Sequence, residues 1–192
     1  MKKVILLFLT VFLLSGTIKL PAQNTEAKEK NNTYRKPPLI YGPKSAAKIK
    51  DLFFTKTGFK LPKEISSINT IAEYTGLESI EGAGNIYTWD FTNGFQISAI
   101  SEAEGTIGSH DKISLVSFNY GNLNSLELGN TISLHKSTLF SIQKLYPGKL
   151  KRFKNSKTPT YKINAGSVYT TFYFNEQNIL ISLSISNYDM EI

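Results

Sequence analysis

Two histidines, fifteen carboxylates and many hydroxyls are the chemistry available to this 192-residue chain, which has no cysteine. His110 stands beside Asp111 and shortly after Glu102 and Glu104, a set with the donors of an oxygen-rich cation site. Such sites need several ligands at regular spacing. The spacing here fits none, so the stretch reads as a solvated acidic loop, and neither metal nor cofactor is expected. His135 falls in the first turn of an expected helix and reads as a surface residue. No Gly-x-Ser-x-Gly frame occurs. A serine nucleophile also needs a positioned base and orienter, which two histidines in such settings do not supply. Asp90, Glu102 and Glu104 are the acids from which a glycosidase pair could be drawn. Alternation places Asp90 on the face of Ile86, Thr88 and Ile97, where burial would raise its pKa unless it is paired. The simpler reading is a wet residue near the end of its hairpin. Gly82-Ala83-Gly84 precedes a strand instead of following one and cannot be a dinucleotide loop. With no convincing catalytic set, the expectation is a protein that is not an enzyme.

Two surfaces remain. The first is the basic run Lys144, Lys149, Lys151, Arg152, Lys154 and Lys157, interleaved with Tyr146 and Phe153 and free of acids. It suits an acidic protein, lipopolysaccharide or another anionic envelope component; the plainer alternative is a solvated loop. The second is one face of two hairpins. Strand side chains change face at every residue. In residues 167–186, Val168, Thr170, Phe172 and Phe174 alternate with Tyr169, Thr171 and Tyr173. After Asn175 to Asn178, Ile179, Ile181, Leu183 and Ile185 alternate with Leu180, Ser182, Ser184 and Ser186. If the first set of each strand points inward, Tyr169, Thr171 and Tyr173 point outward, opposite Ser184, Ser182 and Leu180. By analogy, Ile86 and Thr88 of the earlier hairpin go inward, and Tyr87 and Trp89 go outward beside Ser98. Tyrosine and tryptophan give large contact area at little rotamer cost, and serine adapts its hydrogen bonds, as recognition surfaces require. The alternative is that Trp89 and its neighbours are core, covered by helices.

The elements that would carry these faces follow along the chain. Ser45 caps a helix over 46–55, with Ile49, Leu52 and Phe53 on one face and Gly58 closing it. Pro62 opens a second helix striped by Ile65, Ile68, Ile71, Ala72 and Tyr74 and ended by Gly76; residues 77–84 are a linker. Strands over 85–91 and 95–101 flank Asn93-Gly94, a two-residue turn signal that pairs Thr92 with Phe95, Asp90 with Ile97 and Tyr87 with Ile100. A third strand covers 112–120. A third helix covers 133–146, carrying Leu134, Thr138, Leu139, Ile142 and Leu145 and stopping at Pro147-Gly148. A short strand at 160–163 precedes the last hairpin. The fold class is α+β: an antiparallel sheet with helices packed on one face.

The plan recurs. A helix ending Tyr74-Thr75-Gly76 leads to Ile86-Tyr87-Thr88, and one ending Tyr146-Pro147-Gly148 leads to Val168-Tyr169-Thr170. The hairpins close on Ile97-Ser98 to Ile100-Ser101 and on Leu183-Ser184-Ile185-Ser186. Duplication of a helix-plus-meander unit over 60–121 and 128–192 is expected. On these residues, with Leu128-Gly129-Asn130-Thr131 ahead of the third helix and Tyr146-Pro147-Gly148 after it, residues 60–192 resemble the β-lactamase inhibitor protein family. The same unit occurs singly in small outer-membrane assembly lipoproteins. The likeness implies a binding or inhibitory protein that uses its sheet. The chain departs from both in having no cysteine, hence neither the inhibitor's disulfides nor the lipoprotein's anchor.

Lys2 and Lys3, an apolar run over 4–14 and a polar segment ending Pro21-Ala22-Gln23 have the form of a secretory signal over 1–23. The apolar run is too short to cross a bilayer as a helix. Residues 24–44, charged and then Pro-rich, read as a flexible linker, leaving 45–192 as the domain. If Lys2, Lys3 and Lys19 leave with the signal, the formal charge of +7 falls by three to +4, which argues little for nucleic acid. The expected location is periplasmic or secreted, without stable membrane insertion after cleavage. The function expected is binding of a protein partner through the aromatic and hydroxyl sheet face, or else attachment to anionic envelope components through the basic loop.

Overall fold

Alternating residues become strands where one face can be buried, as the runs over 85–91, 95–101, 112–120 and 168–186 do. The structure is a computed structural model that describes residues 34–80, 84–102, 108–122 and 124–190. Eleven strands and three helices are described. In chain order they are β1 Tyr34–Arg35, α1 Pro43–Phe53, α2 Ile65–Asn69, β2 Gly76–Ile80, β3 Gly84–Asp90, β4 Phe95–Ser101, β5 Ile113–Tyr120, β6 Leu126–Gly129, β7 Ile132–Leu134, α3 Leu139–Leu145, β8 Lys151–Arg152, β9 Thr160–Ala165, β10 Val168–Phe174 and β11 Leu180–Ser186. Nine strands form one antiparallel sheet in the order β1-β2-β3-β4-β5-β11-β10-β9-β8, and β6 pairs with β7 separately. This is an α+β chain dominated by antiparallel sheet.

The first hairpin departs from expectation by one residue. The Phe91 amide donates to the Phe95 carbonyl at 2.8 Å and the Gly94 amide to the Phe91 carbonyl at 2.9 Å. The loop is therefore three residues, Thr92 to Gly94. Gly94 takes the left-handed conformation (φ 85°) that such loops need in their last position. Trp89 consequently pairs with Ile97 and Tyr87 with Ala99. A slip of one residue moves a whole strand's side chains to the other face. Tyr87, Trp89 and Phe91 therefore lie inside with Phe95, Ile97 and Ala99, while Thr88 and Asp90 share the other face with Ser98 and Gln96. The second hairpin uses the same loop: the Asn175 amide donates to Ile179 and the Asn178 amide to Asn175, both at 2.9 Å, with Asn178 left-handed (φ 59°). Beyond it the register shifts between Tyr173 and Phe174, so that Phe174 faces Leu180 and Tyr173 faces Ser182. That irregularity turns Leu180 inward with Leu183 and Ile185, and leaves Ile181 half-buried. Tyr169, Thr171 and Tyr173 pair with Ser186, Ser184 and Ser182, two residues from the expected partners.

The core cluster gathers Tyr87, Trp89, Phe95, Ile97, Val116, Phe118, Phe172, Leu183 and Ile185 from the strands with Ile49, Phe53, Ile65, Ile68 and Ile142 from the helices. The Phe53 ring meets Phe118 edge-on at 4.9 Å, and Phe59 and Tyr146 reach Phe172 at 5.9 and 6.1 Å. Gly129 lies so close to the Phe54 ring that an added Cβ would stand 2.8 Å from Cγ.

All three helices differ from expectation at their bounds. α1 starts at Pro43 with Gly42 as its N-cap, where proline's missing N–H costs nothing. α2 has only five residues. After it the Tyr74 ring packs on Tyr87 at 5.1 Å and on Trp89 at 6.4 Å, and Gly76 opens a strand instead of closing a helix. α3 begins at Leu139, where Thr138 and Ser141 form a reciprocal capping box. Residues 133–134, expected at that helix's start, belong to β7, and His135 is a left-handed turn residue (φ 58°). Within the expected linker, residues 34–35 form β1 and 43–44 open α1; the expected signal over 1–23 lies outside the described residues.

Candidate binding surface

The face opposite the core is ordered by the sheet register, because cross-strand partners point to the same side. One row runs Thr88, Ser98, Ser117, Ser184, Thr171, Lys162, Lys151 across seven strands. At about 4.8 Å per strand it is roughly 29 Å long. The adjacent row runs Asp90, Gln96, Asn119, Ser182, Tyr173, Thr160. A third starts apolar with Ile86, Ile100 and Leu115 and ends with Ser186, Tyr169 and Asn164. Two hydrogen bonds join neighbours within the second row, and others tie it to Thr75 and Ser184. Gln96 Nε2 donates to Asp90 Oδ1 at 2.8 Å, Thr75 Oγ1 donates to Asp90 Oδ2 at 3.2 Å, and Ser182 Oγ donates to Asn119 Oδ1 at 2.8 Å. The Tyr173 hydroxyl lies 3.4 Å from Ser184 Oγ.

On this face Ser98, Thr171 and Ser184 are buried, whereas Tyr169, Tyr173, Ser182, Gln96 and Asn119 are half-buried. After β11 the chain folds back: Ser186 Oγ donates to the Tyr188 carbonyl at 2.7 Å and Lys162 Nζ donates to Asp189. Burial, with the charge of Glu102 adding to it, pushes the Tyr188 phenol up to about 12.

Tyr87 and Trp89, expected on this face, are fully buried on the other (0% exposed). Trp89 Nε1 donates to the Ala72 carbonyl at 2.9 Å. The Tyr87 hydroxyl donates to Asp111 Oδ2 at 2.6 Å; burial first, and this carboxylate second, push its pKa far up. Asp111 is not part of a solvated loop: it is buried, and Asn85 Nδ2 (3.1 Å) and Ser101 Oγ (3.3 Å) also donate to it. Its neighbour His110 is exposed and pairs through Nδ1 with Glu64 Oε2 at 3.0 Å, which holds the Glu64 carboxyl below its usual range. Glu104 lies outside the described residues. His135 is not a surface residue of a helix; it is half-buried, its ring lies tilted against Tyr120 at 5.8 Å and its Nε2 lies 2.9 Å from the Tyr120 carbonyl. Asp90 lies outside the core, half-buried and partly open to solvent in the second polar row.

Among the described residues no three of His, Cys, Asp and Glu come together as a metal site would require. Four Ser-x-x-Lys spacings occur, Ser45 with Lys48, Ser109 with Lys112, Ser133 with Lys136 and Ser141 with Lys144, but no hydrogen bond joins the two members of any pair. Ser45 donates to the Ile40 carbonyl and Lys48 to that of Thr70. Ser141 caps α3, and Lys144 lies over the Phe140 ring at 4.5 Å.

In the basic run, Lys149, Lys151, Arg152, Lys154 and Lys157 are all exposed, and Phe153 is buried beneath Lys162. Lys151 and Arg152 form the edge strand β8. An open pocket of ≈ 350 Å³ joins this run to the polar face, lined by Lys149, Lys151, Lys162, Asn164, Tyr169 and Asp189. Gln96, Ser117, Asn119, Lys162 and Asn164 were not singled out from the sequence, although Ser117 and Asn119 alternate with Val116 and Phe118 and were open to that reading.

The chain matches no protein-family profile and no curated protein sequence. Among solved structures it is similar to that of a DUF4309 family protein from Bacillus subtilis, at 9% identity over 74% of this chain and 93% of the other, with a TM-score of 0.47. That likeness is too loose to carry a fold or a function across.

Proposed function

We propose that the protein is a non-catalytic, exported binding protein of the inhibitor or immunity kind, which engages a protein partner through the polar face of its sheet. The observation that carries this reading is the alignment of Asp90, Gln96, Asn119, Ser182 and Tyr173 in one transverse row. A fixed line of amide, hydroxyl and phenol groups offers a partner oriented donors and acceptors at little conformational cost. The export signal over 1–23 belongs to this proposal. So do helices covering only the core face, and duplication of a helix-plus-meander unit. In favour of duplication, β2 to β5 and β8 to β11 are two four-strand runs that meet at β5 and β11. The units would then match β4-β5 with β10-β11, one strand away from the correspondence suggested by the Ile-Ser words. Two such runs are also in keeping with the resemblance to the β-lactamase inhibitor proteins.

A second reading, attachment to anionic envelope components, is favoured by five exposed cations within residues 149–157. Retention of the partner from its native envelope extract separates the two. The Gln96→Ala/Tyr173→Ala chain should lose retention about tenfold or more while its circular dichroism and melting stay near wild type; one lost hot spot is worth that much. The Lys154→Gln/Lys157→Gln chain should retain it. The reverse pattern would favour the basic run and contradict the sheet face.

A further inference from the structure

We infer that the pocket between β8, β9 and the start of β10 is a binding site for a phosphomonoester dianion, held by Lys149, Lys151 and Lys162 and oriented by Asn164 and Tyr169. Three observations converge. Lys151 and Lys162 are direct cross-strand partners on the same face. Like charges placed opposite each other weaken a ladder unless something between them carries the opposite charge. Asp189 answers one of the lysines, pairing with Lys162. Among the described residues no carboxylate pairs with Lys149 or Lys151. The lining thus holds three ammonium groups and one carboxylate, an excess of two positive charges, which balances the two negative charges of a phosphomonoester dianion.

The other lining groups suit the same ligand. The Asn164 side-chain amide and the Tyr169 hydroxyl are hydrogen-bond donors on adjacent strands, paired in register. Lysines serve phosphate as point charges, without the bidentate fork by which arginine grips carboxylate or phosphate. The one arginine of the run, Arg152, directly follows Lys151 in sequence but pairs with Tyr161 and does not line the pocket. At ≈ 350 Å³ the space exceeds an inorganic phosphate, so the phosphate is one borne on a larger group, with the Tyr169 ring as a wall for it. This does not rest on the partner-binding reading, because Gln96, Asn119 and Tyr173 lie outside the pocket.

The test is calorimetric titration at low ionic strength with glucose 6-phosphate, with inorganic phosphate and with acetate. It would be run on the wild type, on Lys149→Ala/Lys151→Ala, and on Lys154→Ala/Lys157→Ala as a control of equal charge. Expected are saturable binding of the sugar phosphate, weaker binding of inorganic phosphate, and none of acetate. The pocket variant should bind at least about tenfold more weakly and the control within about twofold of wild type. Vesicles containing phosphatidate ask whether the phosphate is on a lipid: co-sedimentation lost only in the pocket variant identifies that source, and titration by the soluble ester alone identifies a free metabolite. A melting measurement supplies an independent check. In anion-free buffer Lys151→Ala should melt higher than wild type, because the repulsion with Lys162 is gone, and it should lose the stabilisation that phosphate gives the wild type. Equal weakening in pocket and control variants, or no saturable binding of any phosphate at millimolar concentration, overturns the site.

Discussion

Replacing Trp89 with alanine will cost the fold about 3–5 kcal/mol, the range for removing a large buried aromatic side chain. The indole is fully buried within a cluster that includes Tyr74, and its Nε1 satisfies the Ala72 carbonyl. Alanine would leave a cavity and an orphaned carbonyl in the segment that joins α2 to β2, and the two penalties fall on the same contacts. An outward Trp89 would instead give a change within about 0.5 kcal/mol. Trp89 is the chain's single tryptophan, so the comparison needs urea unfolding followed by circular dichroism, fluorescence being lost with the residue. A midpoint close to wild type would put the indole back on the surface and with it the expected pairing of the first hairpin.

Asp111→Ala will cost about 3 kcal/mol, because it strips one buried acceptor from three donors at once: the Tyr87 hydroxyl, the Asn85 amide and the Ser101 hydroxyl. Hydrogen bonds to a charged group are worth about 1.5–3 kcal/mol each, but groups sharing one acceptor do not add. The carboxylate also fixes the segment that carries a backbone junction, where the Asp111 main-chain carbonyl accepts from the Ile65 amide and the Ser109 carbonyl from that of Ser66. Hydrogen exchange at Ile65 and Ser66 should therefore quicken in the alanine variant. Asp111→Asn keeps one acceptor oxygen and should recover part of the loss. If asparagine and alanine both matched wild type in denaturant midpoint and exchange, the network would be incidental.

The strands were legible because their periodicity is two and their apolar residues are large, as in Phe172, Phe174, Ile97 and Phe118. What the alternation could not give was phase. Asn93-Gly94 serves a two-residue turn or the last two places of a three-residue loop, and only the hydrogen bond from Phe91 to Phe95 decides between them. That choice sends Tyr87 and Trp89 inward and took two aromatic residues out of the expected contact face. The slip beyond Tyr173 likewise exchanged Leu180 for Ile181 in the core. β2 escaped notice because Gly76-Leu77-Glu78-Ser79-Ile80 is short and begins with glycine, and its pairing with β3 is long-range information. Asp111 looked like one acid in a polar loop, for its partners lie on β3 and β4. The cations of 149–157 were visible from the sequence. The pocket was not, since Lys162, Asn164 and Tyr169 join Lys149 and Lys151 only through the register of β8, β9 and β10.

Site-specific photo-cross-linking tests the contact face most directly. A benzoylphenylalanine would be placed at Asn119, in the middle of the second polar row, and separately at Phe140, which is exposed on α3. Binding through the polar face predicts a discrete adduct with the partner from position 119 and none from position 140. An adduct from 140 with none from 119 would contradict it.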